Sequence, residues 1–113
     1  ARALGITLLS MEELRSRGID QTLQDAIMAL SARCDYIILS LDLDGFSMDA
    51  APATGTPVPG GFTADEILQI LAGIVRSKPV PLIDIVEFNP TLPGAEKTFQ
   101  FMLEILGVLL PRG

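Results

Sequence analysis

Tyr36-Ile37-Ile38-Leu39-Ser40-Leu41-Asp42-Leu43-Asp44-Gly45 is the stretch that decides the fold. Its residues 36–43 are nearly continuous apolar sequence, which reads as a strand buried on both faces, as in a parallel sheet. Downstream, residues 45–61 are rich in Gly, Pro, Ala and Thr and carry no period. They form a long loop, and loops of this length in compact domains are usually functional. Thr63 and Glu66 make a capping box for a helix whose buried side is Ile67, Ile70, Leu71 and Ile74. Pro79 and Pro81 bracket its exit, residues 80–86 read as a second buried strand, and 88–94 as a loop. A last helix is predicted over 95–109, with Phe99, Met102, Leu103 and Leu106 inward. Upstream, the apolar run 4–9 suits a strand. Ser10 and Glu13 read as a capping box for a short helix ended by Gly18. Asp20 is placed to cap the next helix, with Leu23, Ala26, Ile27 and Leu30 on its apolar face. Alternating strand and helix periods predict parallel strands joined by crossovers, with helices packed on the sheet.

The chain has 113 residues, one domain at most, and is 49% hydrophobic and 19% charged, so it is globular. A net charge of −6 without a Lys/Arg cluster argues against nucleic acid as a partner. No apolar run reaches membrane-spanning length and no signal peptide is visible. Cys34 is the only cysteine, which favours a reducing, cytoplasmic setting. Ala1 in place of Met leaves processing, truncation or a fragment open. There is no histidine.

Ligands of open α/β sheets bind beyond the carboxyl ends of the strands. Asp42, Asp44 and Glu87 are expected there. Asp42 and Asp44 are two apart, which on a strand puts both carboxylates on the same side. Shared protonation, a basic side chain or a divalent cation would relieve their repulsion, and hard oxygen donors suit Mg or Mn. The alternative is that both are simply solvated at the loop mouth. Glu87 is a strand-end acid that beside the pair becomes a candidate anchor for a cationic substrate, since carboxylates bind guanidinium by paired hydrogen bonds. Thr54 and Thr56 can offer hydroxyls to a ligand or satisfy a turn. Gly60 and Gly61 suit the turn into the helix. Asp84 lies within the second strand, where pairing with Arg or Lys is expected. Asp65 is explained by the helix dipole, and Cys34 reads as a small buried residue.

Four ordered motifs now stand together: Ser40-Leu41-Asp42-Leu43-Asp44-Gly45-Phe46, Ala51-Pro52-Ala53-Thr54-Gly55-Thr56-Pro57, Gly60-Gly61-Phe62-Thr63 and Glu87-Phe88-Asn89-Pro90. Over roughly half of the chain they resemble the ureohydrolases, the arginase-like family of binuclear manganese enzymes that includes agmatinases and formiminoglutamases, with the lean toward arginase. The resemblance implies a three-layer α/β/α fold with a parallel sheet. Residues 1–113 would be the C-terminal part of a single ureohydrolase domain. It implies two Mn2+ ions in the complete site, Asp42 bridging both and Asp44 binding one, with Glu87 and Thr56 contacting substrate. It implies hydrolysis of a guanidinium or amidine C–N bond, as in arginine to ornithine and urea. The partners implied are a small guanidino or amidino substrate, and either a second copy of the chain or the missing N-terminal part. Ser47-Met48 stands where the family usually has Asp-Pro. The family's remaining ligands, two histidines and two aspartates, come from upstream motifs absent here, so this chain supplies only part of the site and is expected to be inactive alone.

Two other readings stay open. Asp42-Leu43-Asp44-Gly45 also resembles the nucleophile motif of haloacid-dehalogenase-type phosphatases, with Asp42 as nucleophile and Asp44 as general acid. Phe46 replaces their usual threonine, however, and no later paired-acid motif follows a strand. The chain could also be a non-catalytic family member or a fragment that only folds and associates.

Overall fold

The structure is a computed structural model that describes residues 4–55 and 60–110. The elements run α1 (Met11–Arg17), α2 (Ile19–Ser31), β1 (Ile38–Asp42), α3 (Ala64–Ser77), β2 (Leu82–Val86) and α4 (Ala95–Leu109). Among the described residues no helix is long and apolar enough to cross a membrane.

Side chains in the flanking turns set the starts of α1 and α3, two of the four helices. Ser10 Oγ accepts from the Glu13 N–H at 3.1 Å and opens α1. At α3 the capping box is complete: Thr63 Oγ1 accepts from Glu66 N–H at 3.2 Å, and Thr63 N–H donates to Glu66 Oε1 at 2.9 Å. The α2 helix departs from expectation. Gly18 ends α1 and begins α2 directly, with no side-chain cap, so Asp20 falls inside the first turn rather than at the cap. There it is explained by the helix dipole.

The strands β1 and β2 are parallel, as their apolar runs and the intervening helix predict, in the register Ile38↔Leu82 through Asp42↔Val86. Each is shorter than its apolar run: Tyr36, Ile37 and Leu43 at one strand, and Val80 and Pro81 at the other, lie outside the paired segment. One face of this sheet, Leu39, Leu41, Ile83 and Ile85, packs into a core shared with all four helices. The expectation of burial on both faces is not met within the described residues. Ile38 and Leu82 on the opposite face are 60% and 56% exposed. Among the described residues the sheet therefore carries helices on one face, as a partial domain. Asp84 lies on this open face, and among the described residues it has no Arg or Lys partner.

Three further expectations are corrected. Residues 6–9 form no strand, and Ile6 and Leu8 are exposed; a strand needs an edge to pair with, and among the described residues β1 and β2 pair only with each other. In α3 the buried set contains Ile67, Ile70, Leu71 and Ile74 as the periodicity predicts, but in α4 the inward residues are Thr98, Phe101, Ile105 and Leu109. Phe99 and Leu103 are 51% and 44% exposed. The α4 sequence is apolar almost all round, so two overlapping stripes satisfy the helical period. Tertiary contacts select between them: the Phe101 ring meets Phe46 edge-on at a centroid distance of 5.4 Å, and the Thr98 hydroxyl accepts a buried backbone hydrogen bond. On α2, similarly, Ile19, Thr22 and Ile27 are buried while Leu30 is exposed.

Candidate active site

The parallel register determines where the acids lie. Asp42 is the register partner of Val86, so Asp42 and the following Glu87 reach the carboxyl end of the sheet side by side. Neighbouring strands are about 4.8 Å apart, which brings two exposed acids to one edge. Asp44 arrives differently from the expected strand alternation. β1 stops at Asp42, and Leu43–Gly45 forms a 3-10 turn instead of continuing the pleat. The Asp42 carboxylate itself starts that turn, accepting from the Asp44 N–H at 2.9 Å. The two-residue period therefore does not govern the direction of Asp44. Its half-buried carboxylate instead accepts from the Thr54 hydroxyl, within hydrogen-bonding reach across the loop.

The long loop is tied down at both ends. Phe62 N–H donates to Gly45 O at 3.0 Å and Ser47 N–H donates to Phe62 O at 2.8 Å, so the segment leaves and returns at one point. Gly61 is required there less for its own turn than for the close approach of the two strands of chain. A Cβ on it would lie 2.6 Å from Phe46 C and 2.7 Å from Gly45 O. Gly60, at φ +80°, is the turn residue expected. Ser47, at the departure from the family pattern, opens the next turn, its carbonyl accepting from Ala50 and Ala51 N–H. Further along, Ala53 is held by both of its backbone groups: its N–H donates to Thr98 Oγ1 at 2.9 Å and its carbonyl accepts from Asn89 N–H at 3.0 Å. Thr56 lies outside the described residues.

Glu87 has φ +71°, the only described non-glycine residue at positive φ. A residue with a side chain pays about 1–2 kcal/mol for that conformation, and such strain persists where surrounding contacts over-determine it. Here the following segment is anchored: besides its N–H on Ala53, Asn89 accepts through Oδ1 from Thr91 N–H at 3.0 Å and Thr91 Oγ1 at 2.6 Å.

Arg15 and Thr98 had no distinguishing signal in the sequence, because their roles depend on contacts made far along the chain. Arg15 bridges α1 to the loop exit. Its guanidinium donates to Glu66 Oε2 at 2.6 Å, Gly61 O at 2.9 Å and Gly60 O at 3.3 Å. Burial opposes ionisation of Glu66, but the Thr63 N–H, and then the Arg15 guanidinium, outweigh it and hold the carboxyl below its usual range. A lowered folded-state pKa stabilises above the unfolded pKa, and that stabilisation is lost as pH falls through the folded value. The stability difference between the protein and Glu66→Gln should therefore shrink on acidification below the ordinary glutamate pKa. The pair is surface-lying, with Arg15 41% exposed, so the effect is at most about 1 kcal/mol. Thermal unfolding across pH tests it, and a difference that stays constant into strong acid refutes it.

Among the described residues no group of three or more His, Cys, Asp or Glu side chains is arranged to hold a metal ion. Asp42 and Asp44 carry hard oxygen donors of the kind suited to Mn or Mg. Cys34 is half-buried and its thiol donates to Leu30 O at 3.2 Å, away from this edge.

A sequence model of the Arginase family matches residues 1–110. Arginase from Bacillus caldovelox is 33% identical over 108 residues, covering 96% of this chain and 36% of that protein. Its solved structure superposes with a TM-score of 0.87 over 99% of this chain and 38% of the other. Human arginase-1 is 39% identical over 92 residues, covering 80% of this chain and 29% of its own length. A formimidoylglutamase from Bacillus subtilis is 27% identical over 106 residues, covering 94% of this chain and 33% of its own. The chain thus spans about a third of the length of the curated relatives it matches, and the fold is a partial arginase-like α/β domain.

Proposed function

Since the chain belongs to the arginase family, we propose that it supplies part of the active site of a manganese-dependent ureohydrolase that cleaves a guanidinium or amidine C–N bond. Residues 1–113 would be the C-terminal part of one such domain. The observation that carries this reading is the parallel register, which brings Asp42 and Glu87 to the same sheet end with the Asp44 turn between them and the loop. Asp42 and Asp44 would hold manganese, with histidine donors from outside this chain. When bound, manganese supplies Lewis acidity that makes a nucleophile of water at neutral pH. The chain's own residues bind and orient. Glu87 pairs with the cationic guanidinium through charge-assisted hydrogen bonds, and Thr56 offers a hydroxyl to the substrate. Hydrolysis adds water at the guanidinium carbon, breaks a C–N bond and releases an amine and urea. The relatives include both arginases and a formimidoylglutamase, so the reading is of the reaction class, with arginine the first substrate to test.

The exposed apolar face bearing Ile38, Leu82 and Val86 supports completion of the domain by further structure packed on the sheet. The 113-residue chain alone should accordingly bind manganese weakly and release no urea from arginine. Glu87→Ala in the intact protein separates substrate handling from metal binding. Its expected result is a loss of about 2–3 kcal/mol of charge-assisted pairing, about 30–150-fold in kcat/KM. Manganese content, by elemental analysis, should stay near normal. Wild-type turnover in this variant, or loss of metal equal to that of Asp42→Ala, overturns the assigned role.

A further inference from the structure

We propose that Thr54 is a positioning residue that sets the orientation of the Asp44 carboxylate for metal binding, and that α4 and the Glu87 loop hold Thr54 in place. The inference rests on the reading of Asp44 as a ligand. A carboxylate on a mobile side chain can turn either oxygen toward an ion. A neutral donor fixed on one oxygen restricts that freedom, which is how groups behind a ligand tune metal affinity. The Thr54 hydroxyl donates to Asp44 Oδ1 from a nearly buried position, 3% exposed. Threonine is itself stiff at χ1, being β-branched. Its backbone is fixed through Ala53, clamped on one side by the Thr98 hydroxyl of α4 and on the other by the Asn89 N–H of the strained Glu87 segment. Thr98 is fully buried. The same clamp thereby ties the candidate metal ligand to the candidate substrate anchor, two roles placed just beyond the ends of different strands.

The second threonine of the Thr-Gly-Thr-Pro motif is the one expected to meet substrate, and the first has a separate task. A threonine that merely fills space or closes a turn would be replaced without effect on metal by the isosteric Thr54→Val. As a positioning residue it would not. The experiment compares Thr54→Val, Thr54→Ser and Asp44→Ala in the intact protein, measuring the manganese dissociation constant by equilibrium dialysis, the EPR spectrum of bound Mn2+, and the unfolding of the metal-free form. Thr54→Val should weaken manganese by about 10–100-fold and broaden or shift the spectrum. Thr54→Ser, which keeps the hydroxyl, should restore most of the affinity. Wild-type affinity in Thr54→Val, alongside metal loss in Asp44→Ala, overturns the positioning role and leaves Asp44 a ligand. Wild-type affinity in Asp44→Ala overturns both. Equal weakening in Thr54→Val and Thr54→Ser, tracking lost stability of the metal-free form, assigns Thr54 to packing and overturns the proposal.

Discussion

Asp42→Ala is expected to remove manganese and abolish urea release in the intact protein. Asp42 ends β1 at the sheet edge, is exposed, and offers a carboxylate where the family resemblance implies a bridge between two ions. Loss of such a ligand would disturb both ions, whereas Asp44→Ala should affect mainly one. Lewis-acid stabilisation amounts to several kcal/mol, so its loss lowers turnover by about a thousandfold or more at 1.36 kcal/mol per decade. A structural explanation must be separated from this, because the Asp42 carboxylate also accepts the Asp44 N–H. Asp42→Asn keeps an acceptor oxygen in the same place and removes the charge. It should fold like the parent and still lose manganese. Elemental analysis beside urea production reads both quantities, and full activity in Asp42→Ala would sink the assignment.

Gly61→Ala should be the most damaging small substitution for folding. The new methyl would stand 2.6 Å from Phe46 C, 2.7 Å from Gly45 O and 2.8 Å from Phe46 O. All three are backbone atoms, so no side-chain rotation relieves the clash. The chain ends at this crossing must separate, and the Phe62 N–H to Gly45 O and Ser47 N–H to Phe62 O bonds lengthen with them. Overpacking costs about 1–3 kcal/mol and each of the two weakened hydrogen bonds about 0.5–1.5, so roughly 2–6 kcal/mol is expected in total. The long loop that carries Thr54 and Thr56 would lose its closure, and activity should fall with stability. Gly107→Ala is the control: it lies in exposed α4 surface with nothing within 4 Å of a Cβ, and helix propensity makes it neutral or stabilising by up to about 1 kcal/mol. Chemical denaturation of both variants measures the contrast. Similar midpoints for the two would contradict the close-approach argument.

Local sequence determined the features whose energetics are local. The Thr63–Glu66 capping box, the α3 stripe and the 95–109 bounds of α4 follow from hydrogen bonds and spacing within a few residues. The apolar runs at β1 and β2 sufficed to predict a parallel pair, and the strand-end rule then placed Asp42 and Glu87 at one edge. Tertiary structure alone decided matters in which two local solutions are nearly equal or a distant partner is needed. α4 is apolar on most sides, and Phe46 and Ala53 selected the face bearing Phe101 and Thr98 over the one bearing Phe99 and Leu103. The run 4–9 has strand composition, but pairing requires an edge supplied from elsewhere, and residues 6–9 have none among the described residues. Asp44 likewise takes its direction from a 3-10 turn and from Thr54 ten residues away, neither of which the alternation of a strand contains.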